Sequence, residues 1–379
     1  MYGNSNKNNN NRIMKKRIYR TLLALLLLLP AIGATAQERL YIEEWSFTPG
    51  GETDYFTIAL ENGAHKDYTA FQFDLVLPAG LEIAYYESNE GLKPDIGKAE
   101  SGSVFQRRND HNVACEVHSG FIRVICMSLT NMTFNKTTGN LIDVYVTPSP
   151  YLKPGDIEIK LLNVKFGRVT EEYGFKADEL TLTGLTAEAT STLNIKVSSA
   201  NKYSTAVLPF DVETIPTGLE VYSCNSTSGE SLVLTKQNRM AAYTPYILHA
   251  PNGYSGTLSG DVDESRYSES VTDGYLSGTV VATEVSGGEG HYVMQNKGDG
   301  PMFYKVTDTA FSIPAGKCWL TLPAELQGSV SFRLDGTTGI EEITEPGDNS
   351  NAIYDLQGRR VESPAKGMYI INGKKVLVK

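Results

Sequence analysis

The stretch FTIALENGAHKDYTAFQFDLVLPAGLEI, residues 56–83, decides the fold class of this chain. Apolar residues alternate along both of its halves, at Phe56, Ile58 and Leu60 and then at Phe71, Phe73, Leu75 and Leu77. Period-two alternation puts every second side chain on one face of a strand. Each half therefore predicts a strand with one apolar face, and the turn signal Pro78-Ala79-Gly80 ends the second strand.

The same pattern continues beyond this stretch. A hairpin is expected over residues 113–129, then a strand at Leu141–Val146 and another over Ile157–Val164. Turn signals recur about every ten residues, and long helical periodicities are absent, which predicts an all-β sandwich. Residues 201–338 again show short strands between Gly-rich turns, so they predict a second all-β domain.

The N-terminus has the pattern of a secretory signal peptide. A positive segment ending at Arg20 precedes the apolar run Thr21–Ile32, and Ala34-Thr35-Ala36 is a cleavage site that leaves Gln37 first. No later stretch is apolar enough to span a bilayer, so no transmembrane span is expected in the mature chain.

The expected location is secreted or attached to the outer surface. The expected division is signal peptide 1–36, first sandwich 37–200, second domain 201–338, linker 339–350 and β tail 351–379.

The charge balance makes nucleic acid an unsuitable partner. The whole chain has a formal net charge of −10, and residues 1–36 hold six Lys/Arg and no acids. The mature chain therefore carries 28 basic and 44 acidic side chains, a net charge of −16. Such a surface repels phosphate backbones.

Four cysteines are present, and an oxidising compartment permits disulfides between them. If each domain closes its own bridge, Cys115 pairs with Cys126, and Cys224 with Cys318. A Ser119-Gly120 loop would place Cys115 opposite Val124, whereas a Gly120-Phe121 loop would place the two cysteines opposite each other. Buried free thiols are the equal alternative. The spacings do not match a zinc site, and no metal or cofactor is expected.

A family resemblance covers residues 40–195. The opening stretch, followed by IRVICMSLTNMTFNKTTGNLIDVYV and GDIEIKLLNVKFG, resembles the cohesin-like domain. This resemblance implies a jelly-roll-like β-sandwich of the kind shared with carbohydrate-binding modules. In cellulosomes, cohesins bind a dockerin, so a protein partner is implied as well as a glycan.

The C-terminal tail, NAIYDLQGRRVESPAKGMYIINGKKVLVK, contains three short strand-like pieces. Asn372-Gly373 between the last two predicts a two-residue hairpin loop. The tail resembles the C-terminal sorting domain of the type IX secretion system of Bacteroidetes, which implies secretion machinery as a partner. The residues that carry this resemblance are Tyr354, Asp355, Leu356, Gly358, Arg359, Gly367 and Tyr369.

No catalytic constellation is recognisable in the sequence, so the chain is not expected to be an enzyme. Asp261, Asp263 and Glu264 lack the Gly and the final Glu of a calcium loop and predict a solvated turn. The five histidines form no metal-binding spacing and are expected in surface loops or strands.

Tyrosines provide the candidate binding residues. Exposed aromatic rings can stack on the apolar faces of sugars, and Tyr85, Tyr86, Tyr254 and Tyr267 stand at expected loops or strand ends. The expected function is a non-catalytic binding or adhesion protein at the cell surface, with a glycan or a surface protein as ligand. The alternative is a structural or protein–protein scaffold component of a surface assembly.

Overall fold

The structure is a computed structural model that describes residues 38–61, 67–105, 110–170, 174–228, 231–287, 290–296, 301–307, 309–324, 331–334, 353–354, 367–371 and 374–378. These residues form β-strands and one short 3-10 turn, Glu264–Arg266. The predicted all-β class is therefore confirmed. Residues 1–36, where a signal peptide is predicted, lie outside the described residues.

Thirteen strands belong to the first domain. They are β1 Arg39–Ile42, β2 Trp45–Phe47, β3 Asp54–Glu61, β4 Tyr68–Val76, β5 Leu81–Ile83, β6 Tyr85–Ser88, β7 Gly91–Pro94, β8 Ile96–Lys98, β9 His111–His118, β10 Phe121–Ser128, β11 Thr138–Pro148, β12 Gly155–Arg168 and β13 Phe175–Ala187.

Eleven of these strands form the two sheets of a sandwich, and β6 and β7 form a separate two-stranded sheet. One has the order β1-β3-β11-β5, with β8 also pairing β11, and the other has the order β2-β13-β12-β4-β10-β9. Phe56 and Ile58 of one sheet and Phe71 and Phe73 of the other lie in a single buried cluster. The alternation in the opening stretch thus directs the apolar face of β4 into the core, as expected.

A second set of sheets follows β13 in the chain. Its strands are β14 Thr190–Val197, β15 Tyr203–Val207, β16 Glu220–Ser228, β17 Ser231–Gln237, β18 Pro245–His249, β19 Tyr254–Asp261, β20 Ser270–Asp273, β21 Leu276–Thr279, β22 Thr283–Val285, β23 His291–Asn296, β24 Pro301–Lys305, β25 Phe311–Ile313, β26 Lys317–Thr321 and β27 Ser331–Leu334. Its larger sheets have the orders β15-β18-β16-β17-β27 and β20-β21-β26-β23-β24.

Strand β14 pairs with β19 along its whole length, from Thr190 opposite Asp261 to Val197 opposite Tyr254. Its Ile195 and Val197 are buried in a cluster of the second domain. The division at residue 200 remains a prediction, and this pairing favours a boundary between β13 and β14.

Tyr151 joins the two domains. It lies in the turn between β11 and β12, but its ring is buried in a cluster of the second domain with Val207, Ala242 and Tyr243. The Tyr151 hydroxyl donates a hydrogen bond to the Val207 carbonyl at 2.8 Å. Nearby, the Ser191 hydroxyl donates to the Pro150 carbonyl at 2.7 Å. The turn of one sandwich is thus part of the core of the other.

The tail contains a small sheet of β28 Ile353–Tyr354, β29 Gly367–Ile371 and β30 Lys374–Val378. Ile371 pairs with Lys374, which leaves a two-residue loop between β29 and β30. The predicted two-residue hairpin is therefore confirmed.

Candidate functional site

The hairpin of β6 and β7 carries two of the four candidate tyrosines. Tyr85 is 49% exposed and Tyr86 is 46% exposed, although both rings are large and apolar. Tyr86 pairs with Lys93, and Tyr85 pairs with Pro94. Because neighbouring residues of a strand point to opposite faces, the two rings cannot form one continuous stacking platform.

The other two candidate tyrosines lie in the second domain and are half-buried. Tyr254 packs against the cluster that contains Ile195 and Val197. The Tyr267 ring contacts Tyr243 edge-on at 5.8 Å between centroids, and the Lys153 ammonium lies 5.8 Å from its centroid. Both rings therefore already pack within the protein, and no ring contact within the described chain joins two of the four candidates.

A second surface emerges only from strand register. We define the outer face as the side chains of β4, β9 and β10 that point away from the core. Its rows are Glu116–Arg123–Asp74, Ala114–Ile125–Gln72 and Asn112–Met127–Ala70. The alternate residues of β10, namely Ile122, Val124 and Cys126, are buried beneath it.

The outer face is apolar at one end. Met127 is 46% exposed, and Leu129 just beyond the strand is 77% exposed. Ala114 is exposed, whereas Ile125 and Ala70 are half-buried beside it. Ile125 and Met127, two residues apart on β10, form an apolar row along this face. Such a row on the outer face of a sheet is typical of a surface that contacts another protein.

The other end of the outer face holds a fixed charge pair. Arg123 donates from Nε to Asp74 Oδ1 at 2.7 Å and from Nη2 to Oδ2 at 3.0 Å. Asn163 Nδ2 donates to the same carboxylate at 2.7 Å. The hydrogen bond from Arg123 is the main reason that the pKa of buried Asp74 lies below its usual value. The guanidinium also lies over the Phe121 ring, 5.5 Å from its centroid, so Arg123 is held in place.

A polar cluster in the second domain is centred on Glu220. Its carboxylate accepts hydrogen bonds from Lys236 at 2.7 Å and Tyr222 at 3.1 Å, and contacts His249 Nδ1 at 2.7 Å. The Lys236 bond, followed by the His249 bond, holds the pKa of Glu220 at about 2. Tyr203 stacks on the His249 ring at 4.3 Å. This cluster is not predictable from the sequence, because pairing of distant strands brings its members together.

In the acidic turn around Asp263, the carboxylate is already bonded to side chains of the protein itself. Asp263 accepts from Ser265 and from Arg266, and Arg266 also pairs with Asp211. Within the described residues, no group of three His, Cys, Asp or Glu side chains is placed to hold a metal ion.

One histidine prediction is wrong. His111 is fully buried rather than on the surface, and its ring lies 5.0 Å from Phe105 and 5.3 Å from Phe134. Its Nε2 bonds to the Thr69 carbonyl at 3.1 Å, which supplies a polar partner inside the core. His65 lies outside the described residues.

The four cysteines, Cys115, Cys126, Cys224 and Cys318, are free thiols in the structure, in line with the alternative of free thiols that the sequence left open beside the two disulfides. The hairpin uses the Ser119-Gly120 loop, which pairs Phe121 with His118 and places Cys115 opposite Val124. Cys224 and Cys318 lie in different buried clusters of the second domain. Burial raises the pKa of Cys126, Cys224 and Cys318 to about 12, so these thiols stay protonated at neutral pH.

The residues that carry the sorting-domain resemblance are only partly described. Tyr354 ends β28, and Gly367 and Tyr369 lie in β29. Asp355, Leu356, Gly358 and Arg359 lie outside the described residues. No helix in the described part of the chain has the length and apolar composition needed to cross a bilayer.

No protein-family profile and no curated protein sequence matches this chain. Among solved structures, it is similar to a non-cellulosomal cohesin from the archaeon Archaeoglobus fulgidus, at 16% identity and a TM-score of 0.30, covering 40% of this chain and 92% of that one. A type I cohesin–dockerin complex from Clostridium thermocellum gives 12% identity and a TM-score of 0.30, covering 42% of this chain and all of the other.

The cohesin module of a family 33 glycoside hydrolase from Clostridium perfringens gives 13% identity and a TM-score of 0.28, covering 41% of this chain and all of the module. All three neighbours are cohesin modules, the family that the sequence resembles. At these TM-scores, the strand pairing described above carries the fold assignment.

Proposed function

We propose that this protein is an exported, non-catalytic binding module whose first sandwich holds a protein partner on its outer face. The observation that carries this proposal is the apolar row of half-buried Ile125 and exposed Met127, on the same face as the fixed Arg123 side chain. Protein interfaces combine an apolar centre with anchored arginine side chains. A scaffold role in a surface assembly, as in cohesin-type partner binding, is the form of this function that we favour.

The absence of catalysis is part of the proposal. Glu220 and Asp263, two acids that stand in polar clusters, both accept several internal hydrogen bonds. A general acid or base needs a proton that it can exchange with substrate near the working pH. A carboxylate with a pKa of about 2 does not meet that need. Export through the signal peptide, and delivery by the type IX machinery through the tail, complete the proposal.

The test is capture of envelope proteins of the producing cell on the immobilised mature chain. Met127→Asp places a charge in the apolar row, so the specific partner should be lost. Leu92→Asp is the matched control, because Leu92 is 72% exposed but lies on the β6–β7 hairpin. A partner captured by the wild type and the control, but not by Met127→Asp, supports the proposal. Equal capture by all three would contradict it.

Carbohydrate binding at Tyr85 and Tyr86 is the second candidate, because these exposed tyrosines belong to neither core. Affinity electrophoresis against plant, host and microbial polysaccharides measures it directly. If a polysaccharide retards the wild-type protein, and Tyr85→Ala or Tyr86→Ala abolishes this retardation, glycan binding at these tyrosines is supported. Retardation unchanged in both variants would place any glycan site elsewhere.

A further inference from the structure

A groove of about 570 Å³ runs between the two sandwiches, beside the Tyr151 contact. One wall is the end of β11 and the turn after it, residues 147–151, and the other comes from β14, β15 and the residues around Gly316. This volume lies within the range of sites that hold small molecules. Neither domain alone provides both walls.

Lys317 is the unusual residue of this groove. Its Nζ donates to the Ser204 hydroxyl at 3.0 Å and to the Thr205 carbonyl at 3.1 Å, and both acceptors are neutral. Within the described residues, no carboxylate pairs with it. An ammonium has three donors, and Lys317, which is half-buried, has no counter-charge to offset the loss of water around it. Burial accordingly lowers the pKa of Lys317.

The rest of the lining is polar and locally basic. Its charged members are Lys317, Lys196 and Glu82, a net positive charge on a chain whose total is −10. Side-chain hydroxyl and amide groups stand in the lining at Thr147, Ser149, Thr192, Asn194 and Ser204, whereas the Thr205 hydroxyl is bonded to the Cys318 backbone. Short side chains of this kind can bond the hydroxyls of a ligand, and the lysine can balance one negative charge.

We propose that this groove binds a carboxylate-bearing sugar, with Lys317 contacting the carboxylate and the Thr, Ser and Asn side chains contacting the hydroxyls. The site is separate from the outer face, so it stands whether or not a protein partner binds there. A ligand that contacts both walls would also favour the docked arrangement of the two sandwiches.

Isothermal titration calorimetry on the mature chain tests the ligand class. The probes are galacturonic acid and its dimer, the matching neutral galactose compounds, acetate and inorganic sulfate. Binding of the uronic acids at least about tenfold tighter than the neutral sugars, and tighter than acetate or sulfate, is the expected result. No binding of the uronic acids, or equal binding of the neutral sugars, would overturn the proposal. Equal binding of acetate or sulfate would show a general anion site and refute the sugar class.

Two variants locate the site. Lys317→Met keeps most of the unbranched side chain but removes the ammonium group, and it should weaken uronic acid binding at least about tenfold. Asn194→Asp can still accept the bond from the Thr257 hydroxyl but adds a negative charge to the groove, so it should weaken binding too. Lys136→Met is the control, since it removes one exposed charge outside the groove. Thermal unfolding checks that each variant folds. Unchanged affinity in both groove variants would overturn the assignment.

Discussion

Gly316 lies where the two sandwiches touch, and its backbone demands glycine for two reasons. Its φ of +74° is in the left-handed region, and a Cβ built there would overlap the Tyr151 hydroxyl oxygen. Gly218 shares the first constraint, with φ +89°, but no atom lies within 4 Å of its Cβ position. A comparison of substitutions at Gly316 and Gly218 therefore separates the cost of backbone strain from the cost of a steric clash at the interface.

Gly316→Ala is expected to destabilise the protein by about 2 kcal/mol more than Gly218→Ala does. Both variants bear a backbone cost of about 1 kcal/mol or more, and only Gly316→Ala adds overpacking against Tyr151. Denaturant unfolding of both variants measures the difference. Equal losses would show that the interface tolerates the extra methyl group.

Glu220 makes stability depend on pH at the acidic end. Its pKa falls from an ordinary 4.5 to about 2 in the folded protein. A carboxylate with a lowered folded pKa contributes stability above its unfolded pKa, and this contribution is lost as pH falls through the folded pKa. The stabilisation should therefore be complete above about pH 5 and should disappear towards pH 2.

Glu220→Gln is expected to lower stability by about 1 kcal/mol at neutral pH, since solvent screens this partly exposed cluster. The gap between wild type and variant should narrow steadily between pH 5 and pH 2. Thermal unfolding across that range measures it. A gap of constant size would mean that packing, and not the charge, accounts for the loss.

At the scale of elements, β14 shows that a strand can follow one domain in sequence and belong to the next in space. A fragment of residues 189–338 should be more stable than a fragment of residues 201–338, because only the longer one supplies Ile195 and Val197 to their cluster. Both fragments lack Tyr151, so the comparison isolates β14. Thermal unfolding of the two fragments, followed by circular dichroism, measures the difference in stability. Equal melting temperatures would contradict the assignment of β14 to the second domain.

The sequence is informative where a property depends on local alternation. The strands β4 and β12 are predictable because the pattern of Phe71, Phe73 and Leu75 or of Ile157 and Ile159 requires one buried face. The pairing of β14 cannot be predicted in this way, because the apolar alternation of its residues would suit a strand of either domain. The outer face is also hidden, because Arg123 and Met127 become neighbours of β4 residues only through strand register.

On the scale of the whole molecule, the two sandwiches depend on each other. The buried Tyr151 ring occupies a cluster with Val207 and Val280, and the Gly50 backbone approaches the Thr192 carbonyl so closely that only glycine fits. Interfaces between domains often permit relative motion, but a shared aromatic core residue opposes it. This docking also forms the groove around Lys317, so binding there and domain docking are linked.

The wild-type mature chain is accordingly expected to show one unfolding transition for both sandwiches in scanning calorimetry. Tyr151→Ala removes a buried ring and its hydrogen bond, which should destabilise the second domain by about 3 to 5 kcal/mol. The first sandwich keeps its own continuous core, so the single transition should split, with the second domain melting first. Tyr86→Ala, at a half-exposed hairpin position, is the control and should leave the single transition in place. Two well-separated transitions in the wild type would show that Tyr151 does not couple the domains, and the groove between them would then lack a fixed shape.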